Sequence, residues 1–79
     1  MTVAYLKELL NDCCNDISFN YAGKSCGVIP EVNNYKPVYH VWCGTNTKDF
    51  YDAKSVLTTN FFAGKTLENI CEQVNFDIS

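Results

Sequence analysis

Ile17-Ser18-Phe19-Asn20-Tyr21-Ala22-Gly23-Lys24-Ser25-Cys26-Gly27-Val28-Ile29 is the stretch in which the chain changes its period. Ile17, Phe19 and Tyr21 alternate with Ser18 and Asn20, the two-residue repeat of a half-buried strand. Ala22-Gly23-Lys24 reads as a turn, since glycine reaches positive φ without steric cost. A second strand is then expected over about Ser25 to Ile29, antiparallel to the first. Gly27 inside it signals a bulge or a close approach of other atoms. Pro30 has no amide to donate and is expected to end it.

Upstream, the period is helical. Val3, Leu6, Leu10, Cys13 and Ile17 are separated by steps of three and four, and Leu9 widens the apolar face. Thr2 is placed to cap the first turn, and Asn15-Asp16 to end the helix. Downstream, Glu31 to Pro37 is polar and reads as a loop. Val38-Tyr39-His40-Val41-Trp42-Cys43 is the strongest strand in the chain. Gly44-Thr45-Asn46 turns it, and Thr47 to Tyr51 forms a short fourth strand.

Asp52 is a suitable N-cap for a short helix over Ala53 to Leu57, with Val56 and Leu57 inward. Phe61 and Phe62 anchor the connector that follows. Thr66 caps a last helix whose stripe is Leu67, Ile70, Cys71 and Val74, with Glu68 suiting the positive end of its dipole. Asn75 ends that helix, and Phe76 to Ser79 is a tail. The expected fold is α+β: an N-terminal helix, a three- or four-stranded antiparallel sheet and two C-terminal helices, all helices packed on one sheet face.

Seventy-nine residues make a single domain. The net charge is −3, and the six basic residues are all lysine, spread singly along the chain. No basic stripe exists to supply the phosphate term of nucleic-acid binding, and no arginine exists to read guanine with a planar fork. Nucleic acid is therefore not an expected partner. No apolar run approaches the ~18 residues of a membrane helix, and residues 1–15 carry acids and lack a small-residue cleavage site. A cytoplasmic protein is expected. There the five cysteines should be thiols, with Cys13, Cys26, Cys43 and Cys71 acting as small core hydrophobes.

Several constellations could carry chemistry. Gly64-Lys65-Thr66 matches the end of a phosphate-binding loop, but the motif requires glycine at position 59, which is threonine. The segment reads instead as a capped helix start, with Lys65 and Thr66 kept as an alternative ligand site. His40 and Cys43 could pair as base and nucleophile. On a strand, however, residues three apart face opposite ways, which puts His40 with Val38 and Trp42 and leaves Cys43 with Tyr39 and Val41. Zinc held by Cys13, Cys14, Cys26, Cys43 or His40 lacks ligand spacing. Asp49 and Asp52, beside Tyr51, could do acid–base work or hold magnesium, though Asp52 is already used as a cap. No metal and no cofactor are expected.

The third strand carries the functional expectation. Both of its faces are apolar, so either both are covered or one meets a partner, and tyrosine and tryptophan are enriched at interface centres. A protein partner, or a second copy of the chain, is expected on the sheet face around Tyr39, His40 and Trp42. The main alternative is a small enzyme or ligand binder using Cys43 and His40 or the Lys65–Thr66 helix start.

Four pieces also carry a family likeness: Phe19-Asn20-Tyr21-Ala22-Gly23-Lys24, Phe50-Tyr51-Asp52-Ala53-Lys54-Ser55-Val56-Leu57, Phe61-Phe62-Ala63-Gly64-Lys65-Thr66-Leu67 and Glu68-Asn69-Ile70. Through them, the region from Ile17 to Val74 resembles small uncharacterised proteins of Gram-positive bacteria and their phages. Ala22 at the hairpin corner and the five cysteines depart from that pattern. The resemblance implies a small intracellular accessory protein and carries over no catalytic residue.

Overall fold

The Ile17–Ile29 segment folds as a hairpin and seeds the whole sheet. In the computed structural model, which describes residues 2–12 and 15–78, β1 (Ile17–Tyr21) pairs antiparallel with β2 (Lys24–Asn33). The corner is only Ala22-Gly23, with φ of 52° and 74°. Two positive φ values match the right-handed twist of the flanking strands, which is why such corners join hairpins. β3 (Lys36–Cys43) and β4 (Asn46–Phe50) continue the meander. Two short helices follow, α2 (Ala53–Thr58) and α3 (Leu67–Ile70), after which β5 (Asp77–Ile78) returns to pair with β1 at Ile17 and Ser18. The sheet has five strands, in the order β4-β3-β2-β1-β5.

The α+β class and the antiparallel sheet match the sequence reading, but three elements depart from it. Pro30 does not end β2, and Glu31 to Pro37 is no loop: the strand runs on to Asn33, turns at Asn34-Tyr35 and returns from Lys36. The reason lies in the ladder. A two-residue corner makes Asn33↔Lys36 a hydrogen-bonded pair, so alternate pairs Val32↔Pro37 and Pro30↔Tyr39 are not. The nitrogen of Pro30 therefore faces the side of β1, which has already ended opposite Val28. That of Pro37 faces the side of β4, whose last partner is Tyr39. Neither proline interrupts a ladder bond.

The last helix is the second departure. It spans four residues rather than reaching Asn75, and its final turn tightens, Gln73 N donating to Ile70 O at 2.8 Å. A helix this short is marginal alone, and the chain instead turns to deliver its end to β1. The expected tail thus supplies a fifth strand, the third departure.

α1 (Val3–Asp12) buries Leu6, Leu9 and Leu10. Tyr5 N donates to Thr2 Oγ1 at 3.2 Å, the expected cap. Cys13 of the predicted stripe, like Cys14, lies outside the described residues. Ile17 belongs to β1. One face of the sheet, presenting Ile17, Phe19, Cys26, Val28, Tyr39, Val41, Cys43 and Phe50, forms a single core with these leucines, Val56 and Leu57 of α2, and Leu67, Ile70 and Cys71 at α3. The Tyr39 hydroxyl donates to Leu10 O at 2.7 Å, satisfying a carbonyl in the last turn of α1. Phe62 is fully buried and sits against Phe19 and Phe61, ring centroids 5.5 and 5.3 Å away.

Candidate functional site

All three helices contribute to the core on one side of the sheet, leaving the other face to solvent. By alternation along the strands, that open face presents Ser18, Asn20, Ser25, Gly27, Ile29, Glu31, Val38, His40, Trp42, Thr47 and Asp49. Trp42 is half-buried because its ring lies across its cross-strand partner Gly27. A Cβ built on Gly27 would collide with that ring and would come 2.6 Å from Ile17 O. Gly27 is the close approach that a glycine inside a strand signals.

His40 is the centre of a polar bridge over three strands. Its Nδ1 lies 2.8 Å from Asp49 Oδ1 and its Nε2 lies 2.8 Å from Glu31 Oε2. Asp49 is its direct partner on β4, and Glu31 sits diagonally on β2. With a carboxylate at each nitrogen, the fitting species is the imidazolium, which donates from both. Donation to the carboxylates of Glu31 and then Asp49 accordingly holds the His40 pKa above its usual 6.5. A ring so engaged has no nitrogen free to take a proton from a substrate. It acts as a cross-strand clip.

Beyond Val28 and Tyr39, no strand among the described residues neighbours the β2–β3 hairpin on either side, and it stands out from the sheet. Such free edges invite edge-to-edge pairing, and proline on each of them blunts that tendency. Its faces and its tip are what remain for recognition. Ile29 is exposed on one face, Val32 on the other, and Tyr35 at the tip is 99% exposed. Tyr35 also holds φ at 65°, next to Asn34 at 52°. Asparagine tolerates this region, whereas an aromatic residue is strained there by about 1–2 kcal/mol.

The residues singled out from the sequence separate into distinct places. His40 and Trp42 lie on the open face. Tyr39 does not join them: at 2% exposure, with its hydroxyl bound to α1, it is a core residue. Cys43 is buried with it, so the sheet stands between Cys43 and His40 and they form no nucleophile–base pair. Asp49 is engaged with His40, while Asp52 caps α2 by accepting from Ser55 N at 2.7 Å. The two carboxylates thus serve separate ends. Cys26, Cys43 and Cys71 are buried, as small core hydrophobes should be. No group of three or more histidine, cysteine or acidic residues that could hold a metal occurs among the described residues.

Gly64-Lys65-Thr66 forms a tight corner followed by a helix cap. Phe62 and Lys65 bond each other's backbones, at 3.0 and 2.9 Å, around a tight corner of Ala63 and Gly64 with φ of 52° and 81°. The Lys65 amide is spent in that corner, and the Thr66 hydroxyl accepts from Asn69 N at 3.3 Å. Elsewhere a cleft of about 470 Å³ beside α1 and α2 is lined by residues including Lys7, Asn11, Lys54 and Leu57, and contains none of these candidates.

Glu31, Val32 and Tyr35 were missed because the polar run around Asn33-Asn34 outweighed the strand signal. The alternation does persist: Ile29, Glu31 and Asn33 fall on one face, Pro30 and Val32 on the other, and an asparagine opens a two-residue corner. Among the described residues, no helix is long and apolar enough to cross a membrane. The chain matches no protein-family model, no curated protein and no solved structure.

Proposed function

We propose that this chain is a non-enzymatic protein-binding domain that engages its partner through the projecting β2–β3 hairpin and the adjoining open face around His40 and Trp42. The observation that carries this reading is Tyr35, a fully exposed aromatic side chain in a strained conformation at the tip of a long hairpin. The two-residue corner requires the positive φ but not the ring, so an exposed aromatic side chain kept where glycine is favoured serves something other than the fold. Ile29 and Val32 extend the apolar surface on both faces of the hairpin. An element with an exposed apolar side chain on each face and an aromatic ring at its tip suits docking against an apolar groove of another protein. Tyrosine and tryptophan are also the side chains most enriched among binding hot spots.

The test begins with a photo-crosslinking residue at position 35 and, as a control, at exposed Glu72. The protein captured from position 35 alone is then purified and titrated. Tyr35→Gly, with its fold verified by circular dichroism, should weaken binding at least about tenfold, the loss of a modest hot spot. Equal affinity for the variant and the native chain would refute the hairpin as the binding element. Capture of the chain itself, with a doubled mass by light scattering, would make a second copy the occupant.

A further inference from the structure

Cys26 and Cys43 face each other across β2 and β3 as a directly opposed pair. Counting from the Asn33↔Lys36 corner, they fall at a non-hydrogen-bonded position, where antiparallel Cα atoms come within about 4.5 Å and side chains are closest. Their sulfurs are 3.2 Å apart, with the Cys26 thiol donating to Cys43. Both residues are buried, at 0% and 1% exposure. Core packing accounts for a single cysteine at either position. It does not require two of them in register with their sulfurs in contact, where valine or alanine would fill the space. A Cα separation of about 4.5 Å also lies inside the range a disulfide spans, roughly 4.4–6.8 Å.

We infer that Cys26 and Cys43 form a reversible dithiol–disulfide site, oxidised by a small-molecule disulfide of the glutathione type. One thiol gives up its proton, and its thiolate attacks a sulfur of the oxidant RSSR. The RS–SR bond breaks, RS⁻ leaves, and a mixed disulfide remains on the protein. The other cysteine then loses its proton, attacks the protein sulfur of the mixed disulfide and releases a second RS⁻. The two protons end on the two RS⁻ ions. Two electrons pass from the protein to RSSR, giving two RSH and one Cys26–Cys43 bond.

Burial sets the kinetics. Desolvation, then the hydrogen bond and charge of Cys43, push the Cys26 thiol up to about 12. The first attack therefore waits for the sheet to open locally, because only a thiolate is nucleophilic. Once closed, the bond would clamp β2 to β3 beneath the Gly27–Trp42 pair, at the root of the projecting hairpin. The inference is independent of the partner-binding reading.

The experiment refolds the native chain by dilution from denaturant into buffers of graded reduced and oxidised glutathione, followed by acid quenching and peptide mapping. The expected product is one peptide pair joined through Cys26 and Cys43, two hydrogens lighter than the thiol form. Its fraction should track the redox ratio and vanish with excess reduced glutathione, and its thermal midpoint should rise above that of the dithiol form. Pairing of either residue with Cys13, Cys14 or Cys71 would overturn the inference. So would persistence of both as thiols across the series, glutathione held singly on either, or a lowered thermal midpoint.

Discussion

The Trp42 ring lies against Gly27, its cross-strand partner, on the face of the sheet that none of the three described helices covers. The absence of a side chain at 27 lets a large ring rest there half-buried instead of projecting into water. Gly27→Ala should therefore lift the indole, since the new Cβ meets both the ring and Ile17 O. Overpacking of this kind costs roughly 1–3 kcal/mol. Trp42 is the only tryptophan, so its emission should shift to longer wavelength as the denaturant midpoint falls. Unchanged emission would mean that the ring does not depend on Gly27.

Tyr35 should behave in the opposite sense. Asparagine followed by glycine is the favoured sequence for a two-residue corner with positive φ at both positions, and here tyrosine occupies the glycine place. Tyr35→Gly removes a fully exposed ring and relieves the strain, so it should stabilise the fold by about 1 kcal/mol. Equilibrium denaturation reads the difference directly. Loss of stability would show that the ring makes contacts the fold needs.

These two residues mark where sequence reading succeeded and where it stopped. The β1–β2 corner was legible because Ala22-Gly23 sits between cleanly alternating strands. Tyr35 was not, because neither side chain in an Asn-Tyr pair announces positive φ at the second position. Pro30 misled for a physical reason. A proline ends a strand only if its nitrogen was due to donate, and that depends on register and on where the neighbouring strand stops. The open face was half legible: alternation placed His40 with Trp42, yet Glu31 is brought to His40 only by the hairpin hidden in the apparent loop. β5 was invisible because a two-residue strand has no period to read.

The Glu31–His40–Asp49 bridge predicts a pH dependence of definite sign. The folded-state pKa of His40 is raised above 6.5 by its two carboxylate partners. The stabilisation is therefore fully present below the unfolded value of 6.5 and is lost as pH climbs through the higher folded value. All three side chains are substantially exposed, so the effect should be small and should shrink in added salt. Denaturant midpoints should decline across this window in the native chain, and the decline should flatten in His40→Gln. His40 is the sole histidine, so a slope that survived the substitution would have to be assigned to another group.

The segment at Phe62–Thr66 yields a graded set of effects that separates a structural corner from an anion site. Phe62 is fully buried between Phe19 and Phe61, and its backbone closes the corner with Lys65. Phe62→Ala should cost about 3–5 kcal/mol through lost transfer and the cavity left behind. In a domain of this size that is a large share of a total stability of ~5–15 kcal/mol. Thr66→Ala removes the hydroxyl that caps α3 and should cost about 1 kcal/mol. The Lys65 side chain is exposed, and the residue's role in the corner is made by backbone atoms that any substitution except proline retains. Lys65→Ala should therefore change stability by less than about 0.5 kcal/mol. Urea titrations of the three variants test the order. A Lys65→Ala effect matching that of Thr66→Ala would return weight to a charged role for this corner, and inorganic phosphate raising the midpoint of the native chain but not of Lys65→Ala would identify that role as anion binding.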